Sequence, residues 1–160
     1  MWGFSFAFVI ISNMKKIIFV CHGSICRSPA AEFIMKSLSD KYEVTSRAVS
    51  YEEIGNDIYP PMKRELNRRG VKYALHSASR ISQHDYDSCD YIFYMDGSNK
   101  RYLTSMFIDK ANKIYPIYAF TPEISEIEDP WYTDNYQKVC DQITQCIKDI
   151  IKHIEKDNRD

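Results

Sequence analysis

The chain has 160 residues, 44% hydrophobic and 27% charged, which suffices for one domain with its own core. Its formal net charge of −1 argues against a general nucleic-acid binder, which carries a basic excess. Five cysteines, an odd number in no regular framework, fit a reducing compartment, the cytoplasm.

Residues 1–13 form an apolar extension. It is too short for a bilayer, which takes about 20 apolar residues, so no stable membrane insertion is expected. Its positive charges, Lys15 and Lys16, follow the apolar run, unlike a secretory signal. The run reads as a spurious upstream start with Met14 as initiator, and the domain spans 14–160.

The first strand is predicted over Lys16–Val20, so apolar that both faces must be covered. Cys21-His22-Gly23-Ser24-Ile25-Cys26-Arg27 follows as a loop, and Ser28-Pro29 opens a helix. A cysteine beside an arginine and a helix N-terminus is expected as a thiolate near neutrality. Unpaired loop N–H groups converge on an anion, and the planar fork of Arg27 chelates two phosphoryl oxygens. Ser28 is expected to cap the helix and to donate its hydroxyl to Cys21, with Pro29 at the first helical position. The spacing of Cys21 and Cys26 suits a metal poorly, and no second Cys/His cluster follows. The loop thus reads as a phosphate-binding loop carrying a thiol nucleophile.

Ala31, Ile34, Met35 and Leu38 mark the buried side of the next helix. Further strands are predicted over Tyr42–Arg47, Tyr91–Met95 and Lys113–Tyr118. Helices are predicted over Pro61–Arg69 and from Ser82 and Ser98. The last helix shows one stripe, Tyr136, Val139, Cys140, Ile143, Ile147, Ile150, Ile151 and Ile154, with Cys146 off it. This alternation predicts an α/β single domain, a doubly wound four-stranded parallel sheet with helices on both faces. In such sheets ligands sit beyond the carboxyl ends of the strands, where Cys21 lies.

Cys21-x-Gly23-x-Ile25-Cys26-Arg27-Ser28-Pro29 resembles the low-molecular-weight protein tyrosine phosphatases. So do Gly55-Asn56-Asp57-Ile58-Tyr59-Pro60-Pro61, His76-Ser77-Ala78-Ser79-Arg80, Asp90–Asn99 and Asp129-Pro130-Trp131-Tyr132, in the same order. The resemblance covers the chain from Met14 onward. It implies a cysteine-dependent hydrolase of phosphotyrosyl proteins or peptides that is inhibited by phosphate or other oxyanions and works without a cofactor or metal. Arg27 and the loop amides then supply the electrophilic stabilisation. Expelling a phenolate whose conjugate acid has a pKa of about 10 calls for a general acid, and the resemblance assigns it to Asp129. Trp131 and Tyr132 become a wall against the substrate ring, with Tyr51 beside them. His76 becomes a support of the phosphate loop, and Cys26 a redox partner of Cys21. Asp96, Ser98 and Asn99 fall where the family keeps a structural network.

Three positions depart from the family pattern. His22 stands in place of an aliphatic or small residue. Ser24 replaces an Asn suited to left-handed backbone. Glu52 falls at an aromatic wall position. Three other readings stay open. An arsenate reductase would need cysteines after the third strand, and Met95-Asp96-Gly97-Ser98 has none. A protein arginine phosphatase would carry Thr at Ile25 and lack the aromatic pair after Pro130. A non-catalytic phosphotyrosine-binding module would be expected to have lost Cys21, Arg27 or Asp129, and all three are present.

Overall fold

Ile17, Ile18, Phe19 and Val20 are all buried. Successive strand residues face opposite ways, so this run has a packed layer on each side. In the computed structural model, which describes residues 14–159, the run belongs to β1 (Lys15–Cys21). The apolar stretch over 1–13 lies outside the described residues. Three parallel neighbours complete the sheet: β2 (Tyr42–Ala48), β3 (Tyr91–Tyr94) and β4 (Ile114–Pro116), in the order β2-β1-β3-β4. The register sets Cys21 opposite Ala48 and Val20 opposite Tyr94.

Among the described residues the helices are α1 (Arg27–Leu38), α2 (Pro60–Arg68), α3 (Gln83–Ser88), α4 (Gly97–Met106), α5 (Pro130–Thr133) and α6 (Tyr136–Arg159). Ile17 and Phe19 share a core with Ala31, Ile34 and Met35 of α1, Met62 and Leu66 of α2, and the apolar stripe of α6. Ile18 and Val20 pack on the other face against Tyr86 of α3 and Leu103 of α4. Each such side chain contributes about 1.5–3 kcal/mol when fully buried. The sheet is doubly wound, as expected.

Four local expectations need correction. Helix α1 begins at Arg27 after Cys26, with no side-chain cap. Ser28 is not the N-cap, because its hydroxyl turns inward to the loop. Pro29 therefore occupies the third helical position, where an N–H is still unpaired. Cys146 is fully buried, since it lies seven residues, about two turns, beyond Val139 and shares its face. Strand β4 stops at Pro116; Ile117 N–H still reaches the Tyr94 carbonyl at 2.8 Å, and the chain then turns, with Ala119 N–H donating back to the Pro116 carbonyl at 3.0 Å. Helix α4 is capped by Asp96, one residue before Gly97, through a reciprocal bond pair with Asn99.

Candidate active site

The chain leaves β1 for β2 on one side and leaves β3 for β4 on the other, so the connections diverge and open a crevice at the carboxyl ends of β1 and β3. Cys21 is the last residue of β1, so its side chain emerges at that crevice. Val49 N–H donates to the Cys21 carbonyl, and Ser50 N–H to the His22 carbonyl, both at 3.1 Å. These bonds anchor the start of the loop to the segment after β2. At the far end Tyr59 N–H donates to the Ile25 carbonyl at 2.9 Å.

Donors converge on the sulfur. Ser24 N–H and Ser28 N–H point at Cys21 Sγ from 3.3 and 3.4 Å. The Cys21 thiol donates to Ser28 Oγ at 3.3 Å, and Ser28 Oγ donates to Ser24 Oγ at 2.9 Å. Loss of the thiol proton would leave Ser28 free to reverse that bond and donate to sulfur. The left-handed backbone expected at the Ser24 position is present, with φ of 57°. Ser24 is wholly buried, and its carbonyl is held by His76 Nε2 at 2.6 Å. Tertiary bonds thus hold a conformation that serine does not favour alone.

Arg27 is 2% exposed. Its Nη1 donates to Asp96 Oδ2 at 2.7 Å and to the Ile127 carbonyl at 2.9 Å. Nη2 makes one long contact, 3.5 Å to Asp129 Oδ2. Burial opposes the charge on Arg27, but Cys21, Asp96 and Asp129 more than offset it and hold the guanidinium above its usual value. Asp129 caps α5, accepting from Trp131 N–H at 3.0 Å through Oδ1, and its Oδ2 is the oxygen near Arg27.

These groups surround a cavity of about 130 Å³. Its lining joins Cys21, His22, Gly23, Ile25, Cys26 and Arg27 to Asp129, Trp131 and Tyr132, and to Glu52 and Glu53. Tyr51, expected as part of the wall, does not line it. Its ring lies under the Arg80 guanidinium at 4.4 Å, and Arg80 Nη1 donates to its hydroxyl at 3.0 Å. Trp131 leans on Tyr59, with centroids 4.6 Å apart. Burial, and then the neighbouring Cys21, pushes the Cys26 thiol well above the ordinary range.

A family profile described as low molecular weight phosphotyrosine protein phosphatase matches residues 16–160. The chain belongs to that family. It is 32% identical over 155 residues to the low molecular weight protein-tyrosine-phosphatase YfkJ of Bacillus subtilis, across 91% of this chain and 99% of that protein. The crystal structure of YfkJ matches with a TM-score of 0.85 at 30% identity, over 91% of this chain and 97% of that one. The low molecular weight protein tyrosine phosphatase of Streptococcus pyogenes matches with a TM-score of 0.80 at 33% identity, covering 88% and 93%.

Sequence reasoning put Asp96 of this phosphatase in a structural network but did not pair it with Arg27, 69 residues away. It gave Tyr59 no part in supporting Trp131. The signal available for Asp96 was its place directly after a strand, at the same sheet end as Cys21. Glu53 went unnoticed because only folding sets it against the loop, where a Cβ on Gly23 would stand 3.0 Å from Glu53 Cγ. Among the described residues no cluster of three or more His, Cys, Asp or Glu is placed to hold a metal, and no helix is long and apolar enough to cross a membrane.

Proposed function

We propose that this phosphatase hydrolyses phosphotyrosine in proteins or peptides through a cysteinyl-phosphate intermediate on Cys21. The supporting observation is a single cavity in which the Cys21 sulfur, the Arg27 guanidinium and the Asp129 carboxyl meet beside two aromatic rings. Cys21 Sγ, as thiolate, attacks phosphorus while the bond to the phenolic oxygen breaks. Asp129 gives its proton to that oxygen, so tyrosine leaves neutral. The Asp129 carboxylate then takes a proton from a water that attacks phosphorus, and the S–P bond breaks with its electron pair returning to sulfur.

Arg27 Nη1 is engaged by Asp96 and Ile127, which leaves Nε and the loosely held Nη2 for phosphoryl oxygens. The charge spreading onto those oxygens is stabilised by a fixed cation and loop N–H groups in a small cavity. Ser28 stands at the sulfur both when it attacks and when it leaves. Trp131 and Tyr132 flank the substrate ring. Phosphate and other oxyanions compete for the same donors. Five unbridged cysteines accord with work in the cytoplasm.

The test is phosphate release from a phosphotyrosyl and a phosphoarginyl peptide by wild type, Cys21→Ser and Asp129→Asn. Tyrosine-selective turnover is expected, abolished in Cys21→Ser and lowered about 10²- to 10⁴-fold in Asp129→Asn. Turnover confined to phosphoarginine would replace this substrate assignment. No turnover on either by folded wild type would favour a binding module.

A further inference from the structure

Besides the acid Asp129, the cavity lining carries two carboxylates, on Glu52 and Glu53, against the single guanidinium of Arg27. Arg27 is already shared by Asp96 and Asp129. A dianionic phosphate entering this mouth meets an excess of like charge unless the substrate brings a cation.

The protein itself supplies little compensation on that wall. Glu52 Oε2 lies 2.9 Å from His22 Nε2, yet its side chain remains 69% exposed. Glu53 takes a neutral donor, Asn56 Nδ2, at 2.6 Å. Arg80, the nearby cation, is turned to the Tyr51 ring and the Val49 carbonyl and does not line the cavity. The two glutamates are held in place, Glu52 by His22 at the start of the phosphate loop and Glu53 by Asn56.

We infer that Glu52 and Glu53 are specificity residues, selecting phosphotyrosine that has a Lys or Arg next to it in sequence. The inference rests on the proposed phosphotyrosine reading. The basic side chain lies along the wall formed by 52 and 53 while the phosphotyrosyl ring enters beside Trp131. Exposed ion pairs are individually weak, so two of them correspond to about a fivefold preference at low salt, shrinking as salt screens them.

Two phosphotyrosyl peptides differing only in Lys or Glu beside the phosphotyrosine separate the possibilities. Binding to Cys21→Ser by fluorescence anisotropy reads recognition without turnover, and kcat/KM of the wild type reads both. The lysine peptide is expected to win about fivefold in each. Glu52→Gln should roughly halve the preference, and Glu52→Gln with Glu53→Gln should erase it. Equal binding of both peptides, or a preference that survives the double variant, overturns the inference. Discrimination by Cys21→Ser with no wild-type turnover of either peptide supports the charged wall and overturns the hydrolase reading instead.

Discussion

Replacing Asp96 by asparagine removes one charge and almost no volume. Asparagine is as good an N-cap as aspartate, so the 2.9 Å bond from Asn99 N–H to the residue 96 side chain survives. The 2.7 Å charged bond to Arg27 Nη1 does not survive as such. Arg27 is 2% exposed, and its remaining contacts are the Ile127 carbonyl and the 3.5 Å approach of Asp129. Breaking a fully buried pair costs about 3–5 kcal/mol. The Asp96 side chain is 19% exposed, so water relieves part of that cost, although asparagine, its one oxygen held by Asn99 N–H, turns a donor nitrogen rather than an acceptor to Arg27. The net loss is therefore about 2 kcal/mol. For a domain of this size it lowers Tm by about 4–8 °C. Because the guanidinium also loses its fixed orientation, kcat/KM on a phosphotyrosyl peptide should fall about tenfold or more. Thermal and urea unfolding, with steady-state phosphate release, read the two effects separately. Asp96→Ala should cost about 1 kcal/mol more, the value of the cap. Asp96→Asn within about 0.5 kcal/mol of wild type, with unchanged kcat/KM, would refute the view that Asp96 holds Arg27 in place.

His76→Ala deprives the Ser24 carbonyl of its 2.6 Å partner. A lost buried partner costs about 1–3 kcal/mol, and weaker protection by inorganic phosphate against heat should accompany the loss. Mild peroxide should convert Cys21 to the sulfenic acid, which Cys26 then attacks to form a disulfide and release water. Mass spectrometry should find that link, and Cys26→Ser should instead accumulate irreversible oxidation at Cys21; a wild type without the link would count against the pair. Glu128, just before Asp129, is held down to about 2, first by hydrogen bonding to Lys138 and then to Thr133 and Asn135. A carboxyl depressed in the fold contributes stability that is complete above its ordinary value near 4.5 and lost as pH falls toward 2. Urea unfolding of Glu128→Gln should therefore show a shallower decline than wild type across that window.

The strands, the phosphate loop and the long apolar stripe of α6 were legible because each is written in residues close together in sequence. Alternation, helical spacing and a thiol-to-arginine loop after an apolar run are local patterns. The family resemblance added Asp129 and His76, whose roles no local pattern carries. Folding alone decided where Tyr51 goes, since Arg80, 29 residues away, draws its ring and hydroxyl aside. Folding also turned Ser28 from a helix cap into a partner of Ser24 and Cys21. It gave Arg27 to Asp96, from the loop after β1 to the loop after β3, and set Glu52 and Glu53 on the cavity wall. Backbone propensity and apolar periodicity act over a few residues, so sequence determines them directly. Partners for a buried charge, and the charge lining a cavity, depend on which distant segments the sheet order brings together.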